Sequence, residues 1–254
     1  MSLLKFIGNR LAGYLAQPAS GDVRFATCKP ELLAATLRKG DVLLVEGSSR
    51  FSVAVKYLTQ STWSHAALYV AEEGQEAGAE LIEADVLEGV RRASLSDYWS
   101  LHTRICRPIG LEIEEIDALV SYASSRLGQA YDLKNIVDLA RYLVQTPPVP
   151  SRWKRRMLAL GSGEPTRAIC SSLIAQAFQS VNYPILPDSE LIKSRDPDCF
   201  DCYDELLHIR HHSLFAPRDF DISPYFQIIK PGLQAGFDPH QLSWSNAPDE
   251  QLQL

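Results

Sequence analysis

The sequence predicts an α+β domain with a small, mainly antiparallel sheet, and three observations carry that prediction. Apolar segments of strand length, bounded by Gly, Pro and polar turn residues, crowd the first half of the chain. Segments with helical apolar spacing flank them instead of alternating with them one for one. The resulting order (helix, strands, then helices) suits a sheet with helices on its faces better than a parallel doubly wound sheet.

Taken in order, Leu4, Ile7, Leu11 and Leu15 mark one face of a short amphipathic N-terminal helix. Pro18 to Gly21 break it, and "KPELLAATL" reads as a second helix. "KGDVLLVEG" is a strand between two glycines, and "SRFSVAVKYLTQS" a helix with Phe51, Val55 and Leu58 along one side. "SHAALYVAEE" and "AELIEADVLEGVRRASL" follow as strands, joined by a Gly-containing connection. "HTRICRPI" is a further strand, stopped by Pro108. "EIEEIDALVSYASSRLG" starts with acidic residues and stops at a glycine, as a helix prefers. "YDLKNIVDLARYLVQ" is another helix, ended by "TPPVPS". "ICSSLIAQAFQSV" is a further helix, followed by a mixed tail and the frayed end "SNAPDEQLQL".

Composition bounds the function. A chain of 254 residues with 46% hydrophobic and 22% charged residues can bury a sizeable core. Its formal net charge of −6 argues against a bulk attraction to nucleic acid. The basic run "SRWKRR" at 151–156 reads as a solvated face more readily than as an anion site. Five cysteines (Cys28, Cys106, Cys170, Cys199 and Cys202) are odd in number and irregular in spacing, which fits a reducing compartment and a cytoplasmic protein. No apolar run is long enough to span a membrane, and the N-terminus lacks a signal-peptide pattern. The N-terminal amphipathic helix docks on the protein's own body or, as the alternative, contacts a membrane surface or partner.

Cys170 is the first chemical candidate. Leu173, Ile174, Ala177 and Val181 follow it at helical spacing, so the thiol heads a buried helical face. Helix N-termini lower thiol pKa values and can hold an oxyanion, yet cysteine is also a common core residue. A nucleophilic thiol needs a base and a group that orients the base. His65 is the first candidate base, because it alone among six histidines opens an apolar strand. A hydrogen-bonded, half-buried histidine is its bland reading. Glu83 and Asp85 share one face of the next strand, and either carboxylate could accept the imidazole N–H. Glu83 is preferred because it lies nearer the strand centre.

"GDVLLVEGSS", "TQSTWSHAALYV", "LIEADVLEGV", "RLGQAYD", "ICSSLIAQAF" and "APRDFDISPYF" together resemble the YiiX/YebB-like branch of the NlpC-type, papain-like cysteine hydrolases. In that branch the fold is circularly permuted, so that the histidine strand precedes the cysteine helix. The resemblance covers about residues 38–228, leaving 1–37 as an N-terminal helical extension and 229–254 as a tail. It implies a small antiparallel sheet or half-barrel packed against the cysteine helix. It also implies Cys170 as nucleophile, His65 as base, and Glu83 as the polar residue that orients it. Tyr131 matches a family tyrosine near the nucleophile, where its hydroxyl would bind oxyanion or substrate. Asp41 matches the pattern as a structural residue. The insert at about 141–165 departs from it, as a lid or specificity element.

The expected activity is thiol-dependent cleavage, or acyl transfer, at an amide or ester bond, with no metal or organic cofactor. The substrate would be a peptide, a cell-wall fragment or an acyl-lipid amide. A non-catalytic binding module on the same fold is the alternative. "CFDCYDELLHIRHH" pairs Cys199 and Cys202 with three histidines, but the spacing is not that of a zinc finger. Unpaired thiols on a surface helix are the expectation there. "GSSRFS" lacks the lysine of a phosphate-binding loop.

Overall fold

The structure, a computed structural model, describes residues 13–14, 17–18, 26–71, 80–85, 88–129, 169–193 and 203–241. The expected N-terminal amphipathic face, Tyr131, the helix after it, the 141–165 insert, Cys199, Cys202 and the frayed end lie outside these residues.

Helix α1 (Pro30–Thr36) begins on a proline, whose fixed φ suits a first helical position. Strand β1 (Val42–Val45) follows, then helix α2 (Arg50–Thr59), where the Ser49 Oγ accepts from the Ser52 N–H. Strands β2 (His65–Tyr69), β3 (Leu81–Asp85) and β4 (Gly89–Ala93) come next, then a 3-10 turn at Leu95–Tyr98. Strand β5 (Thr103–Pro108) leads to helix α3 (Ile113–Ser125). The Glu112 N–H is capped by the Glu115 carboxylate, and the chain leaves α3 through Gly128 at φ 80°. Helix α4 (Ile169–Ser180) carries Cys170. Strands β6 (Asp188–Lys193) and β7 (Tyr203–His208), helix α5 (Pro217–Ile222), strand β8 (Phe226–Ile229) and the short helix α6 (Pro231–Gln234) complete the described chain.

Six strands form one sheet in the order β4-β3-β2-β1-β5-β8, with every neighbouring pair antiparallel. The fold is α+β, with helices on both faces. Strand residues alternate between faces, and here the alternation separates two cores. Val42, Leu44, Ala66, Leu68, Ile82, Ala84 and Cys106 pack against α3, α4 and the aromatic residues Phe215, Phe220 and Phe226. Leu43, Val45, Ala67, Leu81, Ala93 and Ile105 face the other way, onto Leu33 and Leu37 beside α1 and onto Leu95 and Tyr98.

One expectation is corrected. The segment after Cys202 is not a surface helix, because Tyr203–His208 is β7, paired with β6 in a separate two-stranded sheet. The two are successive strands, paired from Lys193 opposite Tyr203 to Asp188 opposite His208, and the cross-strand contacts of the described side chains include His208 Nε2 with Glu190 at 3.2 Å and, just beyond the strand, Arg210 with Asp188 at 2.7 Å. Opposite charges that meet across a ladder support a strand here.

Buried and half-buried polar residues brace the sheet's interior strands. Asp41, 1% exposed, accepts from Arg107 Nε at 2.9 Å, from Arg107 Nη2 at 2.7 Å and from the Arg38 N–H at 2.8 Å. Asp221 on α5 accepts from Trp63 Nε1 at 3.0 Å and Arg104 Nη1 at 2.6 Å, which ties the tail to the sheet.

Candidate active site

His65 is the first residue of β2, opposite Val45 of β1. The β2–β3 register sets Leu68 opposite Ile82 and Tyr69 opposite Leu81. Counting back along that ladder puts Glu83 across from Ala67, on the face that His65 shares. The two side chains are diagonal neighbours, within reach for an imidazole and a glutamate. His65 Nε2 is hydrogen-bonded to Glu83 Oε2. The second ring nitrogen, Nδ1, is therefore the one left to meet the thiol.

Glu83 is 2% exposed, an expensive place for a carboxylate unless its oxygens are all engaged. Arg91 stands directly opposite it on β4. The guanidinium donates to Oε1 from Nε at 3.0 Å and from Nη2 at 2.8 Å. The Tyr98 hydroxyl donates to Oε2, the oxygen that also meets His65. Burial alone would raise the Glu83 pKa, but the bond and charge of His65, then Tyr98 and Arg91, hold it at about 2. Burial, and then the Glu83 charge, push the Tyr98 pKa far above the usual tyrosine value, so its proton stays on the oxygen.

Cys170 occupies the first turn of α4 and is 2% exposed. Leu173, Ile174 and Ala177 are buried with it, as helical spacing requires. The helix packs on β2 and β3 from the face opposite to that of His65 and Glu83. Thiol and imidazole meet because His65 lies at the very end of β2, where a side chain is not confined to one face. Burial would lower the His65 pKa; the Cys170 charge and hydrogen bond, then those of Glu83, outweigh it and hold it well above the usual histidine value.

A cavity of about 270 Å³ contains all three side chains. It is also lined by Gly47, Ser48 and Ser49 of the loop entering α2 and by Ser52 and Phe51 of its first turn. Gly47 is held close: its N–H donates to Ser64 Oγ at 2.9 Å, and a Cβ there would stand 2.3 Å from Ser52 Oγ. The arrangement can deprotonate a thiol beside a space large enough for a small group. Among the described residues no set of three or more His, Cys, Asp or Glu is placed to hold a metal.

The chain order of these groups, histidine strand before cysteine helix, is the permuted papain-like order. Residues 36–142 match the family of permuted papain-like amidase enzymes, YaeF/YiiX. The chain is similar to a YiiX-like permuted papain-like hydrolase. The matched span includes His65, Glu83 and Tyr131 and ends before Cys170. No curated protein matches the sequence. Among solved structures, one similar chain is the crystal structure of metalloprotein YiiX from Escherichia coli O157:H7. It is 15% identical, with 76% of this chain and 96% of that chain covered, at a TM-score of 0.45. Thiol-dependent amide hydrolysis is the activity that the family match supports.

The structure brings together three of the four residues singled out in the sequence, Cys170, His65 and Glu83, and Tyr131 lies outside the described residues. Asp85, the other carboxylate candidate, accepts from the Glu88 N–H at 2.9 Å and helps shape the β3–β4 turn. Sequence reasoning missed Arg91 and Tyr98. The first had a signal, since a hairpin closing just before Gly89 sets Arg91 opposite Glu83. Tyr98 had none, because its approach depends on the 3-10 turn.

Proposed function

We propose that this protein is a thiol-dependent hydrolase of amide bonds in which Cys170 is the nucleophile, His65 the general base and acid, and Glu83 the group that orients His65. The observation that carries the reading is that the Cys170 thiol, the His65 imidazole and the buried Glu83 carboxylate line one cavity, with His65 Nε2 hydrogen-bonded to Glu83 Oε2.

In this mechanism His65 Nδ1 accepts the Cys170 proton, and Sγ attacks the substrate carbonyl carbon. The carbonyl π electrons move to oxygen, and the Cys170 backbone N–H, in the first turn of α4, would hold the tetrahedral oxyanion. Collapse breaks the C–N bond, and imidazolium protonates the departing amine. A thioester remains on Cys170. Water, deprotonated by His65, attacks it and releases the acid and the thiol. An alcohol or amine in place of that water would make the same site an acyltransferase. Tyr131, by its family match, would add a hydrogen bond to oxyanion or substrate. The acyl group is that of a peptide, a cell-wall fragment or an acyl-lipid amide, with cytoplasmic action and no cofactor.

The test is alkylation of Cys170 by iodoacetamide at pH 6.5, followed by mass spectrometry in the native chain and in His65→Ala. Fast modification in the native protein, lost in the variant, supports the thiol–imidazole pair. Equal rates, or no reaction of the folded chain, would leave Cys170 a core residue and favour a binding module on this fold. A positive result is followed by screening amides of the three acyl classes, with Cys170→Ala as the inactive reference.

A further inference from the structure

Glu83 is held by two residues besides His65. On β4, Arg91 lies directly across the ladder, and its guanidinium meets Oε1 through two nitrogens. From the 3-10 turn, the Tyr98 hydroxyl meets Oε2. Oε2 therefore receives two donors at once, Tyr98 and His65. A carboxylate bonded in this way cannot rotate about its terminal torsion without breaking contacts at both oxygens. The Tyr98 ring also lies nearly parallel to the His65 ring, 19° between planes and 6.2 Å between centroids. Arg91 is 34% exposed, yet it directs its planar fork inward to a carboxylate that is 2% exposed. Two-point contact fixes direction as well as charge, which a point charge would not.

We propose that Tyr98 and Arg91 are positioning residues: together they set the Glu83 carboxylate so that Oε2 meets His65 Nε2 and the imidazole presents Nδ1 to Cys170. The inference rests on the thiol-hydrolase reading above, and neither residue touches the reacting atoms. The other titratable groups around Glu83 are few. His65 comes from β2, Cys170 from α4 and Asp85 from its own strand, with Asp97 beside Tyr98 and Glu88 beside Arg91 at 3.5 Å.

The test uses the full chain and two readouts, the pH midpoint of the His65 ring resonances by NMR and the rate of Cys170 alkylation at pH 6.5. Tyr98→Phe keeps the ring and removes the donor. It is expected to lower the His65 midpoint by about one unit and the alkylation rate by about tenfold, because one pKa unit is a tenfold change in proton affinity. Arg91→Gln also removes a cation near the imidazole, so its readout is the alkylation rate, which should fall, and Arg91→Lys, which restores charge without the fork, should recover part of the loss. Folded Tyr98→Phe with the native midpoint and folded Arg91→Gln with the native alkylation rate, while Glu83→Gln shifts the one and slows the other, would overturn the inference and leave both as packing residues. Should Tyr98→Phe fail to fold, Arg91→Gln and Arg91→Lys decide alone. Failure of the hydrolase reading looks different: native Cys170 would then react no faster than in His65→Ala, whatever the His65 midpoint does.

Discussion

His65 and Glu83 lie on one face of adjacent strands, two residues apart along the ladder, and join through Nε2 and Oε2. The carboxylate is the counter-ion that an imidazolium needs when it has taken the thiol's proton. Glu83→Gln keeps the shape and removes the charge. It should slow Cys170 alkylation at pH 6.5 by about tenfold or more, since hydrogen bonds to charged groups contribute about 1.5–3 kcal/mol. Amide hydrolysis should fall by about 10²- to 10⁴-fold, the range expected when a general base loses its correct state. A variant that alkylates at the native rate would refute the role of Glu83.

The same pair predicts how stability depends on pH. Glu83 titrates at about 2 in the folded chain, against an ordinary glutamate value of 4.5. Its contribution is therefore fully present above pH 4.5 and is lost as pH falls toward 2. His65 has the opposite sign: its pKa is raised well above 6.5, so its contribution is complete below that pH and fades as pH rises through the folded value. Urea midpoints measured from pH 2 to 10 should fall at both ends. In Glu83→Gln the acid slope should flatten, and in His65→Ala the alkaline one.

Asp41 and Arg107 predict a structural effect without a catalytic one. Asp41 is 1% exposed and Arg107 17% exposed, and the pair makes two hydrogen bonds. Asp41→Asn leaves a largely buried guanidinium unpaired, which should cost about 3 kcal/mol or more. Chemical denaturation would measure it. Cys170 alkylation in the folded fraction should stay at the native rate.

Gly47 predicts sensitivity at the cavity wall. Gly47→Ala places a Cβ 2.3 Å from Ser52 Oγ and 3.0 Å from Ser64 Oγ. The loop must shift, at a cost of about 1–3 kcal/mol typical of overpacking. The thermal midpoint should drop, and KM for any amide substrate should change more than the Cys170 alkylation rate.

Phe178 tests the platform beneath the site. It is fully buried on α4 and packs edge-on to Phe226 at 5.1 Å, with Phe220 at 6.2 Å. Phe178→Ala should destabilise the protein by about 3–5 kcal/mol, measured by urea unfolding. The alkylation rate should fall only as far as α4 loosens.

Much of the architecture was legible in the chain because it rests on local periodicity. Apolar runs between Gly, Pro and polar turn residues marked β1 to β5, helical patterning marked α1 to α4, and Pro108 and Gly128 marked two of their ends. Strand β7 was not legible, since the local spacing of "YDELLH" does not exclude a helix and its pairing with β6 is a contact between segments. Period-two spacing placed Glu83 and Asp85 on one face, but it could not choose between them. The choice came from neighbours: Arg91 and Tyr98 close on Glu83, while Asp85 holds the next turn.

The sequence by itself determined which residue types were available, a thiol opening a helix, a histidine opening a strand and a carboxylate at a strand's centre. Those are local facts, set by spacing along one element. Only the tertiary structure decided that they meet. Cys170 and His65 belong to opposite faces of the sheet and are separated by 105 positions in the chain (170 minus 65). No periodicity within a segment encodes a contact made around the end of a strand; that contact depends on how α4 packs across β2 and β3.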